Sequence, residues 1–234
     1  MGKYLYCIIK EKNPKKFGQV YTINQGNLAM VVSETKAKDY ALTREYLLGH
    51  QKVIEKLMQR GYDVLPMRFG IVAKNTKDVK EKILKAKSKE FLEAFGKVQG
   101  KVELGLKALW RDISSVFQEI GENKEIQIAK KQAQKNPSQF RVAAVGELVG
   151  KVLEQKRAKE AQKILGPLKK LAADCAERNL VGESMIFNSA FLVPKAKEKE
   201  FDQRVEEIGQ EHNQRIKFIY VGPVPPYNFV NLCF

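Results

Sequence analysis

The chain has 234 residues, of which 44% are hydrophobic, and its 42 Lys and Arg against 27 Asp and Glu give a formal net charge of +15. This composition supports one large or two small folded domains and excludes a disordered chain. No apolar run approaches the roughly 18 residues of a membrane-spanning helix, and the apolar stretch at the N-terminus is too short for a signal peptide. Cys7, Cys175 and Cys233 are odd in number and far apart, which favours reduced thiols in a cytoplasmic protein.

Hydrophobic periodicity predicts an N-terminal α+β domain over residues 1–98. Its predicted strands cover residues 3–10, 20–23, 28–32 and 64–72, and its predicted helices cover residues 43–60 and 76–95. Pro66 lacks an N–H, so the last of these strands is expected at a sheet edge or with a bulge. Thr76 is placed to cap the start of the second helix.

A second α+β domain is predicted over residues 99–234. Its predicted strands cover residues 102–110, 184–193 and 215–221, and its predicted helices cover residues 113–120, 124–135, about 144–175 and 198–212. Within the strand 102–110 the alternation places Glu103 on the face opposite the apolar residues. Gly166-Pro167 is expected to break or kink the long third helix, because proline removes a backbone hydrogen bond and clashes with the preceding turn.

The order of these elements fits a ferredoxin-like sandwich that lacks one strand. A helical insertion is expected at about residues 111–180, and a Pro-rich apolar tail is expected over residues 222–234. The predicted fold class is therefore α+β with two domains.

Residues that usually carry catalysis or bind metals show no recognisable arrangement. The only histidines are His50 and His212, and no Cys-x-x-Cys, His-x-x-x-His or Glu-x-x-His spacing occurs. Two Gly-rich stretches, 96–101 and 146–151, are each one residue short of a phosphate-binding loop and are followed by Val. His50 is expected to be a buried, hydrogen-bonded structural residue, with a catalytic base as the alternative. We therefore expect no enzyme, no metal and no cofactor.

The positive charge is densest over residues 74–89, a stretch that runs into the second predicted helix. Its seven lysines are Lys74, Lys77, Lys80, Lys82, Lys85, Lys87 and Lys89. Acidic residues within the same helix dilute this charge, and no aromatic signature of an RNA-binding sheet accompanies it. The favoured interpretation is a solvated helix face, and the alternative is a nucleic-acid-binding site.

Two apolar segments are unusual for their positions. Arg68 lies between apolar neighbours after Pro66, which indicates either an edge strand with an Arg that reaches solvent or an Arg that faces the carboxylate of a partner. The tail over residues 222–234 is Pro-rich and then apolar to its last residue, whereas chain ends are normally polar and loose. The tail is therefore expected to pack on its own fold or to bind another protein.

These segments carry a resemblance to a known family. Residues 65–70 (Leu-Pro-Met-Arg-Phe-Gly), the helix around His50-Gln51, the strand 102–110 and residues 221–230 (Val-Gly-Pro-Val-Pro-Pro-Tyr-Asn-Phe-Val) resemble the GvpF/GvpL family of gas vesicle accessory proteins. The resemblance covers nearly the whole chain and is weakest over residues 111–141. The overall likeness favours the F type.

The resemblance implies a minor or accessory component of gas vesicles, the gas-filled protein shells that give aquatic prokaryotes buoyancy. It also implies two α+β domains, the C-terminal one with a modified ferredoxin fold, and no enzymatic activity. The implied partners are the small hydrophobic major shell protein and other accessory proteins, met during nucleation or assembly. The expected location is the gas vesicle, with a cytoplasmic stage before assembly, and neither nucleic acid nor a membrane is expected as a partner.

A shell protein that excludes water from a gas space must expose apolar surface before it assembles, and apolar strand or tail segments of a partner could cover that surface. We therefore expect the shell protein to be contacted by Arg68, Phe69, Tyr227, Phe229 and Phe234. The alternative is a basic nucleic-acid-binding α+β module that acts through the lysine-rich helix.

Overall fold

The computed structural model describes residues 1–230 and residue 232. The chain forms two compact units, one made of Met1–Leu104 with the segment from Gly222 onward, and the other made of Gly105–Val221. The tail therefore groups with the first unit, whereas the sequence-based division assigned it to a second domain beginning at residue 99. The mixed α and β composition with two antiparallel sheets confirms the predicted fold class at that level.

The first unit is built on an antiparallel sheet with the order β2-β3-β4-β1-β5, in which β6 also pairs with β1. Its elements are β1 (Gly2–Lys10), β2 (Lys16–Phe17), β3 (Val20–Gln25), β4 (Leu28–Thr35), α1 (Arg44–Gln59), β5 (Val64–Pro66), β6 (Val72–Ala73), α2 (Thr76–Asp78), a π-helical segment (Val79–Lys85) and α3 (Ser88–Val98). The predicted strands 3–10, 20–23 and 28–32 and the predicted helix 43–60 are confirmed.

A bulge in β1 decides which side chains meet α1. Leu5 pairs with Val32 of β4, and Cys7 pairs with the adjacent Val31. Tyr6, which lies between them without a pairing partner in β4, is therefore the extra residue of the bulge. Tyr4 and Tyr6 share one face of the strand, and the bulge turns Cys7 onto that same face, toward α1. Tyr4 and Tyr6 contact His50 of the helix, and Cys7 lies in one buried cluster with residues of the same helix.

Two local predictions in the first unit were wrong. Residues 64–72 form two short strands instead of one, because Gly70 adopts a φ of 87° that ends the extended backbone. Arg68 consequently lies in a loop between β5 and β6. The cap of α2 is Asn75, whose Oδ1 accepts a hydrogen bond from the backbone N–H of Asp78, and Thr76 is the first residue of the helix.

The second unit carries a sheet with the order β10-β7-β9-β8. Its elements are β7 (Lys101–Trp110, which begins in the first unit), α4 (Ile113–Gly121), α5 (Lys124–Lys135), α6 (Gln139–Leu171), β8 (Asp174–Glu177), β9 (Met185–Pro194), α7 (Glu198–Glu211) and β10 (Ile216–Val224, which ends in the first unit). The strand missing from the sequence-based order is β8. Its four residues, Asp-Cys-Ala-Glu, have little β-propensity, and the predicted helical insertion wrongly included them.

The long helix α6 passes through Pro167 without ending. Ile164, Leu165 and Leu168 are all buried around this proline, so burial offsets the lost hydrogen bond. Of the two expected outcomes, a break or a kink, the break does not occur. The predicted continuation of the helix to Cys175 was wrong, because Cys175 lies in β8.

Candidate functional site

A buried hydrogen-bond network holds the loop at residues 67–70. The Nε2 atom of His50 lies 3.1 Å from the carbonyl oxygen of Met67, and its Nδ1 atom lies 2.9 Å from the hydroxyl oxygen of Tyr4. The backbone N–H of Gly70 donates to the same hydroxyl oxygen over 3.3 Å. Both ends of the loop are therefore bonded to this His–Tyr pair, which belongs to α1 and β1.

The network defines one tautomer of His50. A carbonyl oxygen can only accept, so Nε2 of His50 donates to Met67 and Nδ1 accepts from the Tyr4 hydroxyl. Burial of the ring lowers the pKa of His50, and its hydrogen bond to Met67 opposes that shift. Burial also raises the pKa of Tyr4 to about 12. Both groups are therefore neutral near pH 7, and the prediction of a structural His50 agrees with this geometry.

The held loop presents Arg68 and Phe69. Arg68 is exposed, and it has no ion pair within the described part of the chain. Phe69 is partly buried, with its ring centroid 6.4 Å from that of Tyr40, which in turn lies 5.7 Å from that of Tyr46. We call these four residues the Arg68 surface. It combines a free guanidinium group with partly exposed aromatic rings, an arrangement suited to a partner with both carboxylate and apolar groups.

The C-terminal tail is folded onto the first unit. Its buried residues are Pro225, Pro226, Phe229, Val230 and Leu232. The Nζ atom of Lys97 lies 5.6 Å from the centroid of the Phe229 ring. The described tail residues, up to 230 and at 232, therefore pack on the chain's own fold. This was one of the two outcomes expected from the sequence.

Glu103 of β7 holds the tail in place. Its carboxylate accepts a 2.9 Å hydrogen bond from the backbone N–H of Asn228 and another from the Asn228 side-chain amide. Glu103 is only 3% exposed, although the alternation of the strand placed it on the solvent side. The expected solvent face of β7 at this position is thus covered, and the buried charge is satisfied by the tail.

Gly222 allows the tail to begin. A Cβ atom at this position would lie 2.6 Å from a methyl group of Leu104 and 3.1 Å from the carbonyl oxygen of Glu103, and the residue has a φ of 145°. Any side chain here would push the tail away from β7. This requirement gives a physical reason for the Gly-Pro sequence that begins the predicted tail.

The five predicted contact residues differ in accessibility. Arg68 is exposed and Phe69 is partly buried, whereas Phe229 is 6% exposed and Tyr227 is 36% exposed. Burial raises the pKa of Tyr227, and ionisation of the nearby Cys7 and Tyr4 would raise it further to a smaller degree. Tyr4 also contacts Phe69, with 6.3 Å between the ring centroids, so the loop and Tyr227 share one neighbour. Phe234 lies outside the described residues.

The sequence did not single out Tyr4, Glu103 or Asn228 for these roles. Tyr4 appeared only as part of an apolar strand, and Glu103 appeared as a solvent-facing residue. Asn228 was the available signal, since a polar residue within a long apolar segment needs a buried partner.

Some lysines of the lysine-rich segment pair with acidic residues of the same segment. Lys82 lies 3.0 Å from Asp78, and Lys85 lies 3.0 Å from Glu81, each an i,i+4 pair. Such pairs are typical of a solvated helix face, which was the favoured interpretation.

Within residues 1–230 and 232, no group of three or more His, Cys, Asp or Glu side chains is arranged to hold a metal ion. No helix of the described chain combines the length and the apolarity needed to cross a membrane.

Comparisons with known proteins agree over the whole chain. The family model described as gas vesicle synthesis protein GvpL/GvpF matches residues 2–231. Gas vesicle protein F of Nostoc sp. (strain PCC 7120) is 29% identical over 240 residues, which cover 99% of this chain and 98% of the relative.

Two crystal structures resemble this fold. GvpF from Anabaena sp. PCC7120 superposes with a TM-score of 0.87 at 28% identity, covering 100% of this chain and 99% of that one. GvpF from Microcystis aeruginosa has a TM-score of 0.85 at 27% identity, with 99% of both chains covered. All of these proteins carry the F name, as the overall likeness of the sequence led us to expect.

Proposed function

Because the chain belongs to the GvpL/GvpF family of gas vesicle synthesis proteins and so has a role in gas vesicle formation, we propose that it is an accessory or minor structural protein that binds the small hydrophobic shell protein. By this binding it assists nucleation or assembly of the vesicle. Its other proposed partners are further accessory proteins of the vesicle. It is located in the cytoplasm before assembly and at the gas vesicle afterwards. It acts by binding other proteins and not by catalysis.

The Arg68 surface is the observation that carries this proposal. A loop that is bonded at both ends to buried side chains keeps its shape, so Arg68 and Phe69 are presented to a partner without a large cost in loop entropy. The guanidinium group binds a carboxylate, and the aromatic rings cover apolar surface. A soluble, positively charged chain that covers apolar groups would keep an unassembled shell subunit from aggregating.

The tail contributes to the same proposal in a different way. Tyr227 is partly exposed and available to a partner, whereas Phe229 is buried and anchors the tail to the fold. Phe234 is a further proposed contact residue for the shell protein.

The proposed architecture of the second unit is a modified ferredoxin-like sandwich with a helical insertion between β7 and β8. Its support is the β-α-β-β-α-β order, with the sheet arranged β10-β7-β9-β8. The rigid sheet would then serve as a scaffold for the projecting helices.

Co-purification of the shell protein tests the proposed function. The Arg68→Glu variant, co-expressed with the shell protein, is expected to retain less than about a tenth of the shell protein that the wild type retains, since reversal of an interface charge repels its former partner. Lys12→Glu changes an exposed residue of the same unit by the same charge and is expected to retain the wild-type amount. Equal retention by both variants and the wild type, at equal thermal stability, would remove Arg68 from the interface.

A further inference from the structure

Helix α1 leaves part of its own sheet face uncovered by the residues that the structure describes. A groove of about 700 Å³ lies between this helix and the strands β1–β4. The apolar residues Tyr6, Phe17 and Val53 line it and are only partly buried, although each packs against the buried core of the first unit. The groove thus has an apolar floor that continues the core and that residues 1–230 and 232 leave open.

The hydroxyl groups on the floor of the groove need no hydrogen bond from an occupant. The hydroxyl group of Tyr6 lies 3.2 Å from that of Ser33, so these two polar groups on the floor satisfy each other. An occupant therefore needs apolar side chains at its buried face, because a buried polar group without a partner is costly.

One wall of the groove is a ridge on α1 and just beyond its end. Val53, Lys56, Leu57 and Arg60 line the groove, and their spacing of i, i+3, i+4 and i+7 is that of one helix face. Ridges of this kind pack into the grooves of another helix. The apolar members lie toward the floor, and the charged members are exposed at the rim.

The rim is positively charged. Lys56 and Arg60 have no ion-pair partner among residues 1–230 and 232, and the guanidinium group of Arg60 lies 5.2 Å from the centroid of the Phe17 ring. Among the described residues, Glu34 is the one acidic residue that lines the groove, and it already binds Lys3 and the hydroxyl group of Tyr21. Its pKa is lowered chiefly by its hydrogen bond to Lys3. The net field at the rim therefore favours an acidic occupant.

From this combination we propose that the groove binds an amphipathic helix of a partner protein, with apolar side chains on the sheet face and carboxylates against Lys56 and Arg60. The helix lies alongside α1 and completes the cover of the sheet. The proposal goes beyond the proposed function, because it assigns a second surface that shares no residue with the Arg68 surface.

A second copy of this chain is a poor occupant. Two copies that each carry a net charge of +15 repel one another. The acidic helix α7 would have the right charge, but its apolar residues Phe201, Val205 and Ile208 are already buried in its own unit. The occupant therefore comes from another protein.

A peptide titration tests the proposal. The probe is a fluorescein-labelled synthetic helix of about 18 residues, with Leu on one face and Glu and Gln on the other, and the reference probe carries Lys in place of Glu. Fluorescence anisotropy is expected to give a Kd on the order of 10 μM for the acidic peptide with the full-length chain. The basic peptide is expected to bind at least about tenfold more weakly.

Two double variants of equal charge locate the binding. Lys56→Glu with Arg60→Glu reverses the rim and is expected to weaken the acidic peptide at least about tenfold. Arg44→Glu with Lys52→Glu alters two exposed residues of the same helix that do not line the groove, and is expected to weaken it less than about twofold. The single variant Val53→Gln, which changes the floor and keeps the helix propensity, is expected to weaken it several-fold.

Other results would overturn the proposal. An equal loss of peptide affinity in the two double variants would indicate unspecific charge attraction. If a single-stranded DNA 20-mer competes with the peptide and still does so after the Lys56 and Arg60 reversal, a nucleic-acid surface lies elsewhere. Absence of binding by the acidic peptide at 1 mM would exclude the groove as a helix site. Self-association of the free chain that the same rim variant abolishes would indicate a second copy as the occupant. None of these outcomes depends on the shell protein, so they are separate from the test of the Arg68 surface.

Discussion

The loop at residues 67–70 and the tail from residue 225 are each held to the first unit by buried polar side chains. His50 bonds to the carbonyl of Met67, and Glu103 accepts two hydrogen bonds from Asn228. In the loop this bonding leaves the intervening Arg68 exposed, whereas in the tail it brings the apolar residues down onto the fold. Similar bonding thus produces an open surface in one region and a closed one in the other.

The difference lies in what surrounds the bonded atoms. The loop is bonded at both ends, so the residues between its ends are lifted out of the core. The tail is bonded in the middle, at Asn228, and apolar residues on both sides of it are buried. Because both regions have apolar sequences, apolar content alone does not decide whether they are exposed. Exposure is set by where the backbone is bonded relative to the apolar side chains.

Replacement of Phe229 should have the largest effect on this comparison. The Phe229→Ala variant removes a ring that is 6% exposed, and the loss of its burial and the resulting cavity should lower the free energy of unfolding by about 3 kcal/mol. Tyr227→Ala, at 36% exposure, should cost about 1 kcal/mol. Urea denaturation followed by circular dichroism measures both. A smaller loss for Phe229→Ala than for Tyr227→Ala would show that the tail is free in solution.

Neutralising Glu103 should have the next largest effect. Glu103→Gln removes the charge that strengthens the two hydrogen bonds to Asn228 and places an amide N–H₂ group toward donors, so we expect a loss of about 2 kcal/mol in unfolding free energy. Glu93→Gln, on the exposed side of α3, is the matched control and should change the value by less than about 0.5 kcal/mol. If both variants unfold at the same urea concentration as the wild type, the carboxylate does not hold the tail.

The sequence predicted most of the regular elements because their apolar residues follow a clear period. The strand at residues 102–110 and the helix at 43–60 have such a period, and the structure confirms them. It also predicted that the tail has an unusual role, since three prolines and several apolar residues end the chain.

Features that depend on distant contacts were harder to predict. The four-residue strand β8 has no periodic signal of its own, and pairing with β9 stabilises it. Glu103 and Asn228 are 125 positions apart in the chain, so no local pattern indicates that the strand position of Glu103 is covered. The bulge at Tyr6 likewise depends on pairing with β4, and it places Cys7 on the face that Tyr4 and Tyr6 share.

Acidification should weaken the loop through His50. Burial lowers the pKa of His50 in the folded chain below its ordinary value of 6.5, so the unfolded chain binds a proton at higher pH than the folded chain does. The stabilisation from neutral His50 is fully present above pH 6.5 and is lost as the pH falls through the folded pKa. Urea midpoints measured from pH 7.5 to pH 5 should fall for the wild type, and the His50→Gln variant should show a smaller dependence. An identical slope for both proteins would assign the pH dependence to other groups.

Replacement of Arg68 should have the smallest effect on stability. Arg68 is exposed and has no ion pair within the residues that the structure describes, so Arg68→Ala should change the free energy of unfolding by less than about 0.5 kcal/mol. The loop should keep its shape, because its bonds run through Met67 and Gly70 and not through the arginine. Tyr4→Phe, by contrast, removes the hydroxyl group that bonds to both His50 and Gly70, and it should cost about 1 kcal/mol. Hydrogen exchange of the Gly70 amide distinguishes the two variants: faster exchange is expected for Tyr4→Phe alone, and faster exchange for Arg68→Ala would mean that the arginine helps to hold the loop.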